Sequence, residues 1–277
     1  MLGMEKEGFY SVEEALSRCG NRRLIDRRTA LSTLFRASVF VVSSLAANAF
    51  CQQALLDTIP QNLQLFPRLA DDSCTVIVSG AVIGSGYDSA TLLLYRDGEP
   101  LLSIAQALVY ENDTASFRLA VRMPAERAEY GLDLHVDGDL LAHRDSIVCG
   151  DVFLINGQSN AQAPFARSGR VASANDEWIR TFGAGSQTIY SYDSLVGIDT
   201  AWYLADKSPE GWPGHWGMRL GELIVEKHGV PVCILNQAIG SWIEVHLPGA
   251  MTDIDDRMFL GTIYGRLLYR AAKSGVG

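Results

Sequence analysis

Lysine is scarce in this chain of 277 residues: Lys6, Lys207, Lys227 and Lys273 are the only four. No basic run occurs after Arg36, and the net charge is −9. A cationic face able to track phosphates is therefore missing, which excludes a nucleic-acid partner recognised through charge. Metal-ligand spacing is missing too. Cys19, Cys51, Cys74, Cys149 and Cys233 include no CxxC pair, and the five histidines are scattered. No zinc site assembles from local sequence, and neither a metal nor any other cofactor is expected. Beyond residue 49 no apolar run approaches the roughly 20 residues that cross a bilayer, so no membrane span is expected in the mature chain. What remains is a globular balance, 48% apolar or aromatic and 20% charged, which rules out disorder and fibrous classes.

The first 49 residues differ from the rest. Arg18, Arg22, Arg23, Arg27, Arg28 and Arg36 precede an apolar stretch over 37–47, which ends in Ala47-Asn48-Ala49. A basic region, a short apolar core and a small-x-small site describe a signal peptide, here cleaved near Ala49. An amphipathic or buried helix is the alternative, and the abrupt change to Gln52 and Gln53 favours the leader. The expected localisation is secreted or periplasmic. A linker over 50–73 is expected to follow.

From 74 to 149 apolar residues recur with period two, in the runs 75–82, 90–96, 115–122 and 130–136. Asp97-Gly98 and Asp137-Gly138 are hairpin dipeptides that accept positive φ angles. About seven short strands without helical periodicity imply a β-sandwich. His135 and His143 read as structural there. Cys74 and Cys149 bracket this module; they are two buried thiols, or a pair in an oxidising compartment.

Around residue 150 the period changes. Asp151-Val-Phe-Leu-Ile-Asn156 is a continuous apolar run suited to a strand buried on both faces. Residues 215–228 place Trp216, Leu220, Leu223, Ile224 and Lys227 at helical spacing, with Gly229 as a stop, and 230–236 reads as a second buried strand. Strand, helix and strand make a parallel crossover unit, so the expected fold class is α/β over 150–277, preceded by the small all-β sandwich.

Two loops leave the carboxyl ends of those strands, where ligands bind in open α/β sheets. The first is Gly157-Gln158-Ser159-Asn160, whose hydroxyl can project from a sharp turn. The second is Gln237-Ala-Ile-Gly-Ser-Trp-Ile-Glu244, in which Gly240 can offer an unobstructed amide. A Gly-x-Ser-x turn alone is equally a tight strand-to-helix connection.

The segment Gly150-Asp-Val-Phe-Leu-Ile-Asn-Gly-Gln-Ser-Asn160 resembles the first block of the sialate O-acetylesterase-like carbohydrate esterases of the SGNH hydrolase superfamily. Val230-Pro-Val-Cys-Ile-Leu-Asn-Gln-Ala-Ile-Gly-Ser-Trp-Ile-Glu-Val-His-Leu-Pro248 resembles their second block. The resemblance implies part of a three-layer α/β/α domain and a metal-independent serine esterase that removes O-acetyl groups from a carbohydrate. It makes Ser159 the nucleophile and the amides of Ser159 and Gly240 oxyanion donors, with Gln158, Asn160, Ser241 and His246 on the substrate side. Ile239 replaces a family glycine, and His246 stands where tryptophan is usual. The family's Trp-x-Gln-Gly-Glu block and terminal Asp-x-x-His pair have no counterpart here. The expectation is therefore a fragment of a longer enzyme, itself inactive without its general base. If the chain acts alone, His215 or His246 is the candidate base. His228 closes a helix and is given no role. The reading from a different class is a carbohydrate-binding or scaffold protein that has lost the base. Trp202, Trp212, Trp216 and Trp242 are either sugar platforms or core, and Asp253, Asp255 and Asp256 read as a solvated acidic loop.

Overall fold

The computed structural model describes residues 53–84, 86–162, 176–183, 201–205, 212–240, 247 and 263–275, all within one compact unit that begins at Ala49. The expected leader lies outside them. The alternating runs form strands, and burial follows the alternation. In β3 (Ser73–Ile83) the side chains of Cys74, Val76, Val78 and Val82 are buried, and in β6 (Thr114–Pro124) those of Ala115, Phe117, Leu119, Val121 and Met123. These strands pair antiparallel and, with β1 (Gln53–Thr58), make a three-stranded sheet in the order β1-β3-β6. Facing it, β4 (Ser89–Arg96), β5 (Glu99–Ala107), β7 (Tyr130–Val136) and the first half of β8 (Asp139–Ile155) build the second layer. The inward residues of both layers share one apolar core. Burying each aliphatic side chain contributes about 1.5–3 kcal/mol against the chain's entropy. Both expected hairpin turns are present, with φ of 50° and 82° at Asp97-Gly98 and 48° and 89° at Asp137-Gly138, the two positive angles of a type I′ turn.

The second layer does not end at the sandwich. β8 pairs antiparallel with β7 through its first half, then runs on to pair in parallel with β11 (Val232–Asn236) from Asp151 to Ile155. A short strand β2 (Leu65–Pro67) pairs in parallel with its middle. Beyond β11 come β9 (Ile179–Phe182) and β10 (Trp202–Leu204), giving the order β10-β9-β11-β8-β7-β4-β5. The expected linker thus contains β1 and β2, and the expected module boundary at residue 149 falls inside one strand. Consecutive residues of β8 show the division of labour: Cys149 belongs to the sandwich core, whereas Val148 belongs to the core around β11. Where β8 crosses between the two cores, Gly150 lies against the Pro231 carbonyl so closely that a Cβ would collide with it.

The architecture is mostly β-sheet with few helices, mixed α/β. Among the described residues no helix is long and apolar enough to cross a membrane. Helix α1 (Ser159–Gln162) is a single turn, and a 3-10 turn over Asp176–Trp178 leads into β9. Helix α2 (Gly214–His228) occupies the expected crossover and ends at Gly229 in the left-handed conformation. Its packing face meets the sequence expectation in part, since Leu220 and Ile224 pack against the core around β11. Trp216 and Leu223 are exposed, while Gly214, Gly217, Met218, Gly221 and Val225 are buried. A Cβ on Gly217 would come within 2.6 Å of Ile234 Cγ2, and one on Gly221 within 3.0 Å of Ile179 Cδ1. The helix therefore approaches the sheet through a glycine stripe, to which apolar periodicity is blind. Helix α3 (Ile263–Lys273) brings two buried arginines, Arg266 and Arg270, inside the fold.

Candidate functional site

β8 ends at Ile155, and the chain turns at Gly157, whose φ of 142° places it where L side chains are strained. The Asn156 side-chain carbonyl accepts the Gly157 N–H at 3.0 Å, and the Gln158 carbonyl accepts the amides of Ala161 (2.8 Å) and Gln162 (3.0 Å). Ser159 is therefore held as the first residue of α1, exposed beyond the carboxyl end of the strand.

The second loop is pinned to the first. Gln237 N–H donates to the Ile155 carbonyl at 2.9 Å and Ile239 N–H to the Gly157 carbonyl at 3.1 Å, so hydrogen bonding continues past both strand ends. Asn236, buried at the end of β11, organises the exit. Its side-chain amide donates to the Pro213 carbonyl at 2.8 Å, and its Oδ1 accepts the Ala238 N–H at 2.9 Å. This Asx turn redirects the backbone towards α1. A Cβ built on Gly240 would lie 4.0 Å from Ser159 Cβ and 3.7 Å from Gln162 Oε1. Two motifs distant in sequence thus meet, with an exposed hydroxyl beside an exposed, side-chain-free backbone. Gln158 and Asn160 flank Ser159 and are exposed; Ser241 and His246 lie outside the described residues.

Of the tryptophans, Trp202 and Trp212 are core, Trp242 is outside the described residues, and Trp216 is 65% exposed. The Trp216 indole N–H donates to the Asn160 carbonyl at 3.1 Å, which fixes an open aromatic face beside the turn. His215 is its half-buried neighbour on α2, and His228 closes that helix. Asp253, Asp255 and Asp256 lie outside the described residues.

Sequence reading missed Arg270. It is 1% exposed, and its guanidinium donates to the Phe182 carbonyl (2.6 Å), the Asn236 carbonyl (3.0 Å) and Gln237 Oε1 (2.9 Å). One planar cation thereby ties the ends of β9 and β11 to the root of the second loop. Nothing local marks it, because an arginine in the last turn of a helix ordinarily serves the dipole. Cys233 on β11 is wholly buried, and desolvation pushes its thiol up to about 12 despite the opposing pull of Arg270 and Arg180. It is chemically inert at neutral pH.

His135 and His143 sit in the sandwich, away from these loops. His143 Nδ1 is 2.6 Å from Asp133 Oδ1, and that hydrogen bond, with help from Asp145, holds the imidazolium above its ordinary pKa. The pair lines a cleft of about 740 Å³ with Tyr95, Asp97, Glu129 and Trp178. Neither Ser159 nor Gly240 lines that cleft. Its carboxylates are committed to holding the fold: Glu129 pairs with buried Arg180 at 3.1 Å, and Asp97 accepts the Glu129 N–H at 3.0 Å. Burial lowers the Arg180 pKa, an effect that Glu129 opposes.

No family model and no curated protein matches the chain. Among solved structures it is similar to a carbohydrate acetylesterase from Xanthomonas citri, with a TM-score of 0.44 and 22% identity over 78% of this chain and 48% of that one. It is also similar to the N-terminal domain of PorA, with a TM-score of 0.18 and 14% identity over 35% of this chain and 96% of that one. The chain spans about half the length of the acetylesterase.

Proposed function

We propose that this chain supplies the nucleophile and oxyanion-binding loops of a metal-independent serine esterase that removes O-acetyl groups from carbohydrates. The observation that carries this reading is the meeting of the Ser159 turn with the Gly240 loop, 4.0 Å apart from Cβ to Cβ position. Ser159 Oγ attacks the acetyl carbonyl, and the amides of Ser159 and Gly240 take the oxygen as it becomes negative. Collapse of the tetrahedral adduct releases the sugar hydroxyl and leaves an acetyl-enzyme, which water then hydrolyses to acetate. A base must take the serine proton; His215 and His246 are the candidates that the chain itself carries, and without a base only oxyanion and binding contributions remain. Gln158, Asn160, Ser241 and His246 border the sugar. The exposed Trp216 face supports a carbohydrate, since pyranose rings stack on such faces. Acetylated sialic acids, xylans or related glycans are the substrate class within this reading. The fold would be the first part of an SGNH-type three-layer domain over 150–277, following a sandwich over 74–149. The protein would be exported by a leader over 1–49, so that mature protein recovered from cells begins at Phe50.

A fluorophosphonate probe tests the site. The reading expects a stoichiometric adduct on Ser159 that is lost in Ser159→Ala, together with acetate release from an acetylated glycan when a competent base is present. Binding of the same glycan with a competent base present, yet without adduct or acetate release, would overturn the esterase in favour of a carbohydrate-binding scaffold.

A further inference from the structure

The sandwich core holds two thiols that the proposed chemistry does not use. Cys74 lies on β3 of the three-stranded sheet and Cys149 on β8 of the facing sheet, 2% and 0% exposed in the same apolar core. The two strands are drawn together at this level by consecutive residues of one connecting segment. Arg68 N–H donates to the Gly150 carbonyl, and Leu69 N–H to the Ser73 carbonyl, both at 2.8 Å. The immediate neighbours of Cys149 and of Cys74 are thus tethered to adjacent positions on one backbone. Phe66, two residues before Arg68, is the strand partner of Cys149. Side-chain alternation then aims both thiols inward from opposite layers, into the one apolar core they share. The neighbouring Cys149 and burial hold the Cys74 thiol far above its ordinary pKa.

We propose that Cys74 and Cys149 are an inter-sheet disulfide site, oxidised while the chain folds in a compartment that supplies a disulfide oxidant. The two thiols lose two protons and two electrons as the S–S bond forms. A small-molecule or protein disulfide accepts the electrons by thiol–disulfide exchange and leaves as two thiols. Burial of both sulfurs sets the timing: exchange precedes closure of the core, and the finished bond is shielded from reductants. Cys233, in the separate core around β11, is not a competing partner. The link closes a loop of roughly 75 residues, a length at which restricting the unfolded chain stabilises strongly. This inference is independent of the esterase reading, and neither stands or falls with the other.

The test is to refold the full chain in a mixture of reduced and oxidised glutathione, alkylate remaining thiols under denaturing conditions and map the peptides by mass spectrometry. The expected result is a cross-linked peptide joining Cys74 to Cys149. The oxidised protein should melt roughly 5–15 °C above its reduced form, and Cys74→Ala and Cys149→Ala should each abolish that difference. Recovery of both cysteines as alkylated thiols from folded wild-type protein would overturn the proposal, as would a cystine joining either of them to Cys19, Cys51 or Cys233. The wild-type map needs no variant, so it decides the question even if an alanine replacement fails to fold.

Discussion

Ser159 and Gly240 are separable by substitution because only one of them has a side chain to remove. A Cβ at Gly240 meets nothing nearer than 3.7 Å, which is ordinary contact. Gly240→Ala should therefore leave the melting temperature within about 2 °C. It places a methyl beside Ser159, and if Ser159 is the proposed nucleophile and Gly240 an oxyanion donor, phosphonate labelling of Ser159 is expected to slow about tenfold or more. Gly150→Ala has the opposite profile. Its methyl would meet the Pro231 carbonyl inside the sheet, and a loss of at least about 3 kcal/mol in urea unfolding is expected whatever happens to labelling. His143 gives a pH signature of its own. Asp133 raises its folded pKa above the unfolded value, so its stabilisation is complete below the ordinary histidine pKa and disappears as pH rises through the raised one. Because His143 is exposed, the effect is less than about 1 kcal/mol. Unfolding free energy measured across neutral pH should show that small decline in wild type and not in Asp133→Asn. The Ser159 turn was legible in sequence because a glycine at positive φ, Gly157, precedes the serine. The His143–Asp133 pair was not, because its members belong to different strands brought into register by the β7–β8 hairpin.

At the scale of elements, sequence located helices and strands better than it located their faces. The crossover helix was expected over 215–228 and runs Gly214–His228, yet it leaves Trp216 and Leu223 exposed and buries glycines alongside Met218 and Val225. Hydropathy reports the cost of exposing a side chain, and glycine has none; what places Gly217 and Gly221 inward is the close approach of Ile234 and Ile179. Arg270 poses the same problem with the opposite sign, a cation drawn inside because carbonyls at two strand ends and the Gln237 side chain await donors. Arg270→Met is expected to cost about 3–5 kcal/mol in urea unfolding, because it leaves buried acceptors without partners. Arg270→Lys, which retains charge but not the planar fork, should recover part of that loss. If Arg270→Met unfolds like wild type, those acceptors are satisfied without the guanidinium.

For the whole molecule, β8 is the organising feature. One strand of 17 residues serves the sandwich with its first half and the parallel sheet with its second, and Glu129 of the sandwich pairs with Arg180 of β9. A calorimetric scan of the protein from residue 50 onward should accordingly show one cooperative transition, with calorimetric and van't Hoff enthalpies in agreement. Two resolved transitions would mean that β8 does not couple the two cores. The sequence by itself determined the alternating strands, both type I′ turns, the helix stop at Gly229 and the two loop motifs. Each depends on residues within a few positions of one another, where propensity and turn chemistry act. Tertiary structure alone decided that the two cores share a strand, that Ile239 bonds to Gly157 and so carries Gly240 to Ser159, that Arg270 lies beneath the second loop, and that Cys74 and Cys149 share one buried core. Those are pairings between segments far apart in the chain. Their partners are chosen by sheet register and by the burial of whole faces together, which no local window of sequence contains.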